Sequence, residues 1–221
     1  MDTSNIIIRV CVNAIPLILA ITLHEAAHGY VARMFGDNTA YMMGRVTLNP
    51  AKHIDPVGTI FFPLISLVLG SIIFGWAKPV PVNFGNLRDP KRDMFWVAAA
   101  GPASNLVQAL VWGGIAKALQ VSGNDSMVTQ FWFLVAVAGV SWNVVLAIFN
   151  LFPILPLDGG RMITSILPKQ LAWEFSKLER YGMVILIGLI VLMMMVPPLG
   201  YAFQGLLSAG ERAVFSLFSL Q

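Results

Sequence analysis

Two histidines and a glutamate are the first residues in this chain whose types and spacing point to chemistry. They stand in ITLHEAAHGY (21–30), where His24 and His28 are four apart with Glu25 beside the first. On a helix this spacing puts both imidazoles on one face, a turn apart, where they can bind a single tetrahedral zinc. The adjacent glutamate can then act as general base toward a water at the ion. Such a site needs a third protein ligand and an open position. Asp158 is the best candidate for that ligand. It follows two prolines in NLFPILPLDGGR (150–161), where Pro153 and Pro156 should disturb a helix and Gly159 and Gly160 should let the chain turn away. Glu174, Glu179 and Glu211 are alternatives, but they lie among polar or interfacial residues.

The elements that must position these groups are membrane helices. Of the 221 residues 57% are hydrophobic and 11% charged, against about 25% charged in a soluble domain. Mean hydropathy is +0.75, and several apolar runs approach the ~20 residues that span a bilayer. The setting raises the weight of the motif, because a carboxylate at the bilayer centre costs about 3 kcal/mol on insertion scales and such groups mark function. Buried core histidines and an aspartate in an ordinary helix-ending turn are the plainer readings, and both fare poorly in lipid.

Net charge is +3 with no basic cluster or aromatic-interleaved basic stripe, so the basic balance reads as juxtamembrane Lys and Arg and nucleic acid is not a partner. Cys11 is the single cysteine, and no intrachain disulfide can form. The start, MDTSNIIIRV, lacks the charge pattern of a cleaved signal, so the first helix is expected to be retained.

Apolar segments run from Asn5 to Phe35, Pro56 to Trp76, Met94 to Leu119, Gln130 to Leu157 and Tyr181 to Pro197. A weaker one, Leu199 to Leu220, is interrupted by Gly205, Gly210, Glu211 and Arg212 and either lies in the interface or packs on the bundle. Met193 to Met195 read as a flexible packing face. The expected fold is an all-α polytopic membrane bundle of about four to six helices, with a re-entrant segment and a short β element as a further possibility. It forms a single domain over 1–221, with a catalytic core at about 10–165 and additional helices over 181–221.

Three motifs together resemble the site-2 protease family of intramembrane zinc metalloproteases, peptidase family M50, in its compact form without a PDZ domain. They are HEAAH (24–28), AGPASN (100–105) and NLFPILPLDGG (150–160). The resemblance implies one Zn2+ held by His24, His28 and Asp158, Glu25 as catalytic acid/base, and Asn150 near the substrate. It also implies protein substrates that present transmembrane segments in the bilayer. Oligomeric state is not legible. From its own chemistry Asn150 could hydrogen-bond substrate backbone or an oxyanion, with helix packing a near equal, and Asn105 reads as structural. His53, in NPAKHIDPVG (49–58), could stabilise an oxyanion or orient a connector, with local capping the plainer use. The proline-containing 78–83 stretch could offer an edge to an extended substrate, although a connector is the commoner use of such residues. A non-proteolytic metal-binding or transport protein is the rival from another class, separated by whether Glu25→Gln abolishes function.

A shared metal sets the topology. Both the histidine pair and Asp158 lie toward the C-terminal ends of their segments, so the first and fourth segments must run parallel. One intervening segment therefore cannot be a simple span. The third, with Ala98, Ala99, Gly101 and Ala103 on a small-residue face, suits helix packing. The second, with Pro63 and Gly70, is the one expected to be re-entrant. That arrangement puts eleven of the fourteen Lys and Arg on one side, leaving Arg9, Lys117 and Arg212 opposite, whereas spanning by all segments divides them nine to five. The positive-inside rule then places the metal site nearer the cytosol of a multi-pass protein of the plasma or inner membrane.

Overall fold

In the computed structural model, residues 3–55, 58 and 78–220 are described. They form an all-α membrane bundle, and four of the helical stretches are long and apolar enough to cross a bilayer: Ile7–Met34, Pro90–Val121, Met127–Asn150 and Lys169–Met195. The helices are α1 (Thr3–Met34), α2 (Thr39–Met42), α3 (Pro90–Val121), α4 (Met127–Asn150), α5 (Asp158–Ile166), α6 (Lys169–Ser176), α7 (Gly182–Met195) and α8 (Pro197–Leu217). Local chemistry sets their starts. Asp89 caps α3 by accepting from Arg92 N–H, with Pro90 in the first turn where its missing donor costs nothing, and Ser126 caps α4 by accepting from Thr129 N–H at 3.2 Å.

Contacts fix the directions of the three helices that build the site. His28 bonds Val97, His24 bonds Asn105, and Ala20 accepts from Asn105 and Gln108, so numbers fall along α1 as they rise along α3. Asn105 meets Asn143, and a Cβ on Gly139 would collide with the Trp112 ring, so α3 and α4 are also antiparallel. Helices α1 and α4 therefore run parallel, as a shared metal requires.

The end of α1 and the start of α3 lie together, since Arg88 N–H donates to Phe35 C=O at 3.0 Å. Asp37, fully buried, ties the same junction by accepting from Thr39, from the Asn83 N–H at 2.7 Å and from Asn86 Nδ2 at 3.0 Å. The segment Pro56 to Trp76, read as re-entrant, lies outside the described residues apart from Gly58. Its flanks meet, with Lys78 N–H bonded to His53 C=O at 2.9 Å.

Three expectations change in detail and one holds: the fourth apolar segment breaks as helix before Pro153 and Pro156, which supply no N–H to the ladder. Helix α4 stops at Asn150 and Asp158 opens a new helix. Gly159 and Gly160 do not turn the chain away. Both are helical, and a Cβ on either would strike the 151–155 backbone folded over α5. No strand forms among the described residues, so the short β element is absent there. Pro79 and Pro81 lack donors, and the Val80 N–H between them is engaged by Glu25. On α3 the packed stripe is Val97, Ala98, Gly101, Asn105 and Ala109, while Ala103 is exposed. The weaker C-terminal segment packs on the bundle, as α8 buries Val214 against Ala109, Val140 and Val144.

Candidate metal centre

His24 and His28 extend from the C-terminal third of α1 toward α3. Each imidazole is fixed through its Nδ1: His24 to Asn105 Oδ1 at 2.6 Å and His28 to Val97 C=O at 2.7 Å. A backbone carbonyl only accepts, so His28 Nδ1 must donate. Asn105 spends its Nδ2 on Asn143 Oδ1 at 2.9 Å and Ala20 C=O at 3.3 Å, so its Oδ1 faces His24, whose Nδ1 must also donate. In the neutral imidazoles both Nε2 atoms then present lone pairs, and they lie 3.1 Å apart.

Asp158 completes the cluster from the first residue of α5, where the helix N-terminus favours a carboxylate. Its Oδ2 lies 3.2 Å from His24 Nε2 and its Oδ1 3.3 Å from His28 Nε2. Ligand atoms from all three residues fall within 4.8 Å of one another. Asp158 Oδ2 is buried and has no hydrogen-bond donor. Two imidazole lone pairs and a carboxylate crowded together in a buried site repel unless a proton or a metal ion lies among them, and the donor set of two nitrogens and one oxygen suits zinc with a position left open. The residues fit the metal. Gly101 lets α3 approach this closely, since a Cβ there would stand 2.6 Å from His24 Nε2 and strike His28 Nε2.

A cleft of about 330 Å³ opens on the cluster, lined by His24, Glu25, His28 and Asp158 together with Pro79 to Val82, Asn150 and Arg161. Glu25 Oε2 accepts from the Val80 N–H at 2.7 Å. Arg45, buried, holds that stretch from behind by donating to the Lys78 and Pro79 carbonyls. Asn150 lines the cleft and spends one N–H on Leu146 C=O at 3.0 Å.

His53 is not brought to the cleft. It is buried in the 47–53 loop, bonded through Nε2 to Thr47 C=O at 3.0 Å. Glu179 pairs with Arg161 and Glu174 with Lys177, and neither carboxylate joins the histidine cluster. Sequence reasoning missed Val80, Gly101 and Arg161 as parts of the site, and saw Asn105 only as structural. An amide in the middle of an apolar helix was the available signal for Asn105.

Comparison with known proteins bears on the same residues. Peptidase family M50 matches residues 112–195, a span that includes Asn150 and Asp158 but not the histidine pair. The chain is 38% identical over 212 residues to YwhC of Bacillus subtilis strain 168, which carries a zinc-metalloprotease designation, covering 93% of this chain and 90% of that protein. It is 29% identical over 175 residues to Rip2 of Mycolicibacterium smegmatis, covering 79% of this chain and 64% of that one. With Rip3 of Mycobacterium tuberculosis it is 29% identical over 159 residues, covering 70% and 30%. Both carry the same designation, and the chain spans less than two thirds of either. No solved structure matches the chain.

Proposed function

The chain belongs to peptidase family M50 and is an integral membrane zinc metalloendopeptidase of the site-2 protease type, and from that premise we propose that it hydrolyses peptide bonds within or near transmembrane segments of other membrane proteins. One observation carries the proposal: the depth of the reacting groups. His28 and His24 lie six and ten residues inside the end of α1, about 9 and 15 Å along a helix rising ~1.5 Å per residue. Taking Arg33 as the headgroup-level end of the span, the two histidines lie about 8 and 14 Å inside the ~30 Å hydrocarbon layer, a depth that favours a membrane-embedded substrate.

His24, His28 and Asp158 hold the zinc in this reading. Zinc held there would supply Lewis acidity toward the scissile carbonyl and a water whose pKa is lowered toward about 7. Glu25 takes the proton of the attacking water and returns it to the leaving amine, with Val80 N–H fixing one carboxylate oxygen so that the other addresses the cleft. Asn150 is placed to hydrogen-bond substrate backbone through its remaining N–H. A helical substrate hides its carbonyls in its own ladder and must unwind to enter a cleft of this size. We place the site toward the cytosol of the plasma or inner membrane, because the end of the bundle where α1 finishes and α3 begins carries Arg33, Arg45, Lys78, Arg88, Lys91 and Arg92.

The test is cleavage of membrane-protein substrates by wild type and Glu25→Gln in reconstituted vesicles. The variant should lose activity by at least about 10²-fold while retaining one zinc per chain. Equal cleavage by both would overturn the proposal, as would cleavage confined to soluble peptides.

A further inference from the structure

We propose that Asn143, which does not touch the metal cluster, is a positioning residue that fixes the ligand form of His24 through Asn105. Three bonds run in one direction. Asn143 Nδ2 donates to the Gly139 backbone carbonyl at 2.9 Å, Asn105 Nδ2 donates to Asn143 Oδ1 at 2.9 Å, and His24 Nδ1 donates to Asn105 Oδ1 at 2.6 Å. Both asparagines are fully buried, so neither amide has water to satisfy a reversed orientation.

The direction originates at Gly139. A backbone carbonyl accepts and never donates, so it selects the Asn143 orientation with Nδ2 toward its own helix and Oδ1 toward α3. That oxygen in turn selects the orientation of Asn105. A flipped Asn105 would aim its N–H groups at His24 Nδ1, and the imidazole would then carry its proton on Nε2, the atom that faces His28 and Asp158. A protonated Nε2 cannot ligate. Ala20 C=O, at 3.3 Å, is the other acceptor for Asn105 Nδ2 and is the longer of the two contacts, so Asn143 is the stronger determinant. Partners that fix a metal-binding imidazole from behind contribute 10- to 100-fold in affinity, about the scale expected here. An asparagine pair, unlike a carboxylate, does this at membrane depth without a buried charge.

The inference rests on His24 being a zinc ligand, and the experiment separates the two. Zinc affinity of the full-length protein in detergent is measured by chelator competition for wild type, Asn143→Leu and Asn143→Ala, the second deleting the same acceptor without added bulk. The ¹⁵N spectrum of labelled histidine in metal-free protein reports which ring nitrogen of His24 carries the proton, and with three histidines in the chain it is readily assigned. Asn105→Asp supplies an acceptor to His24 whichever way its group turns. Both Asn143 variants should bind zinc about 10-fold or more weakly and shift His24 toward Nε2–H, while either change in the Asn105→Asp background should cost less than threefold. A packing role would cost the same in both backgrounds and leave the tautomer unchanged, which overturns the proposal. A shifted tautomer with unchanged zinc affinity would instead remove His24 from the ligand set.

Discussion

Val80 donates its backbone N–H to Glu25 Oε2 at 2.7 Å, tying the carboxylate beside His24 to a stretch of chain 55 residues further on. Because Pro79 and Pro81 flank it, Val80 carries the sole N–H among these three residues. Val80→Ala, which keeps the N–H but deletes the same buried side chain, is the control, and Val80→Pro removes that donor. A hydrogen bond to a charged group contributes about 1.5–3 kcal/mol, so kcat on a membrane substrate should fall about 10-fold or more with zinc content unchanged. Loss of zinc in this variant would show that the stretch supports the metal rather than the carboxylate.

At Gly101 α3 leaves no room for a side chain beside the imidazoles. Gly101→Ala forces a methyl against both Nε2 atoms, so zinc should be lost and cleavage should fall by at least about 10²-fold, the scale of removing the catalytic machinery. Gly188→Ala on α7 is the control, because a Cβ there meets nothing within 4 Å. Exchanging an exposed helical glycine for alanine should leave zinc intact and raise stability by up to about 1 kcal/mol. Elemental analysis of the purified variants reads both outcomes.

Asp37 gives a pH dependence outside the membrane spans. Burial pushes its carboxyl up, but the donors from Thr39, Asn86 and Asn83 outweigh burial and hold it below the usual carboxylate range. A depressed folded pKa stabilises the protein above the unfolded value of about 3.9, and the contribution is lost as pH falls through the folded value. Asp37→Asn should therefore unfold at lower temperature than wild type at pH 7, and the gap should narrow as pH drops below about 4. A gap that widened on acidification would contradict this assignment.

The junction between α1 and α3 places residues 35–55 and 78–89 at one end of the bundle, opposite the α3–α4 turn. In a Cys11→Ser background, Lys91→Cys should react with an impermeant thiol reagent only from the cytosolic face and Asp125→Cys only from the other. Labelling of both from one face would defeat the parallel arrangement of α1 and α4.

Much of the site was legible because helix periodicity is local. His24 and His28 four apart needed only an α-helix to share a face, and the demand that Asp158 meet them was enough to make α1 and α4 parallel. The parts that stayed hidden depend on where distant backbone passes. The approach of Val80 to Glu25 follows from the path of residues 78–82, which no spacing encodes. Gly159 and Gly160 resembled a turn because sequence alone cannot separate a glycine that needs a positive φ from one that needs room for the 151–155 backbone. His53, plausible in type as an oxyanion donor, is instead buried in a loop by its bond to Thr47, a contact without a motif. Asn105 and Asn143, on different helices, acquire their meaning only once packed together.

X-ray absorption at the zinc edge reads whether a single zinc is held by His24, His28 and Asp158. Wild type should show one zinc per chain in a shell of nitrogen and oxygen at about 2.0–2.2 Å with no sulfur at about 2.3 Å, and Asp158→Ala should lose the metal or one oxygen scatterer. A sulfur shell, or a spectrum unchanged in Asp158→Ala, would rule out this ligand set.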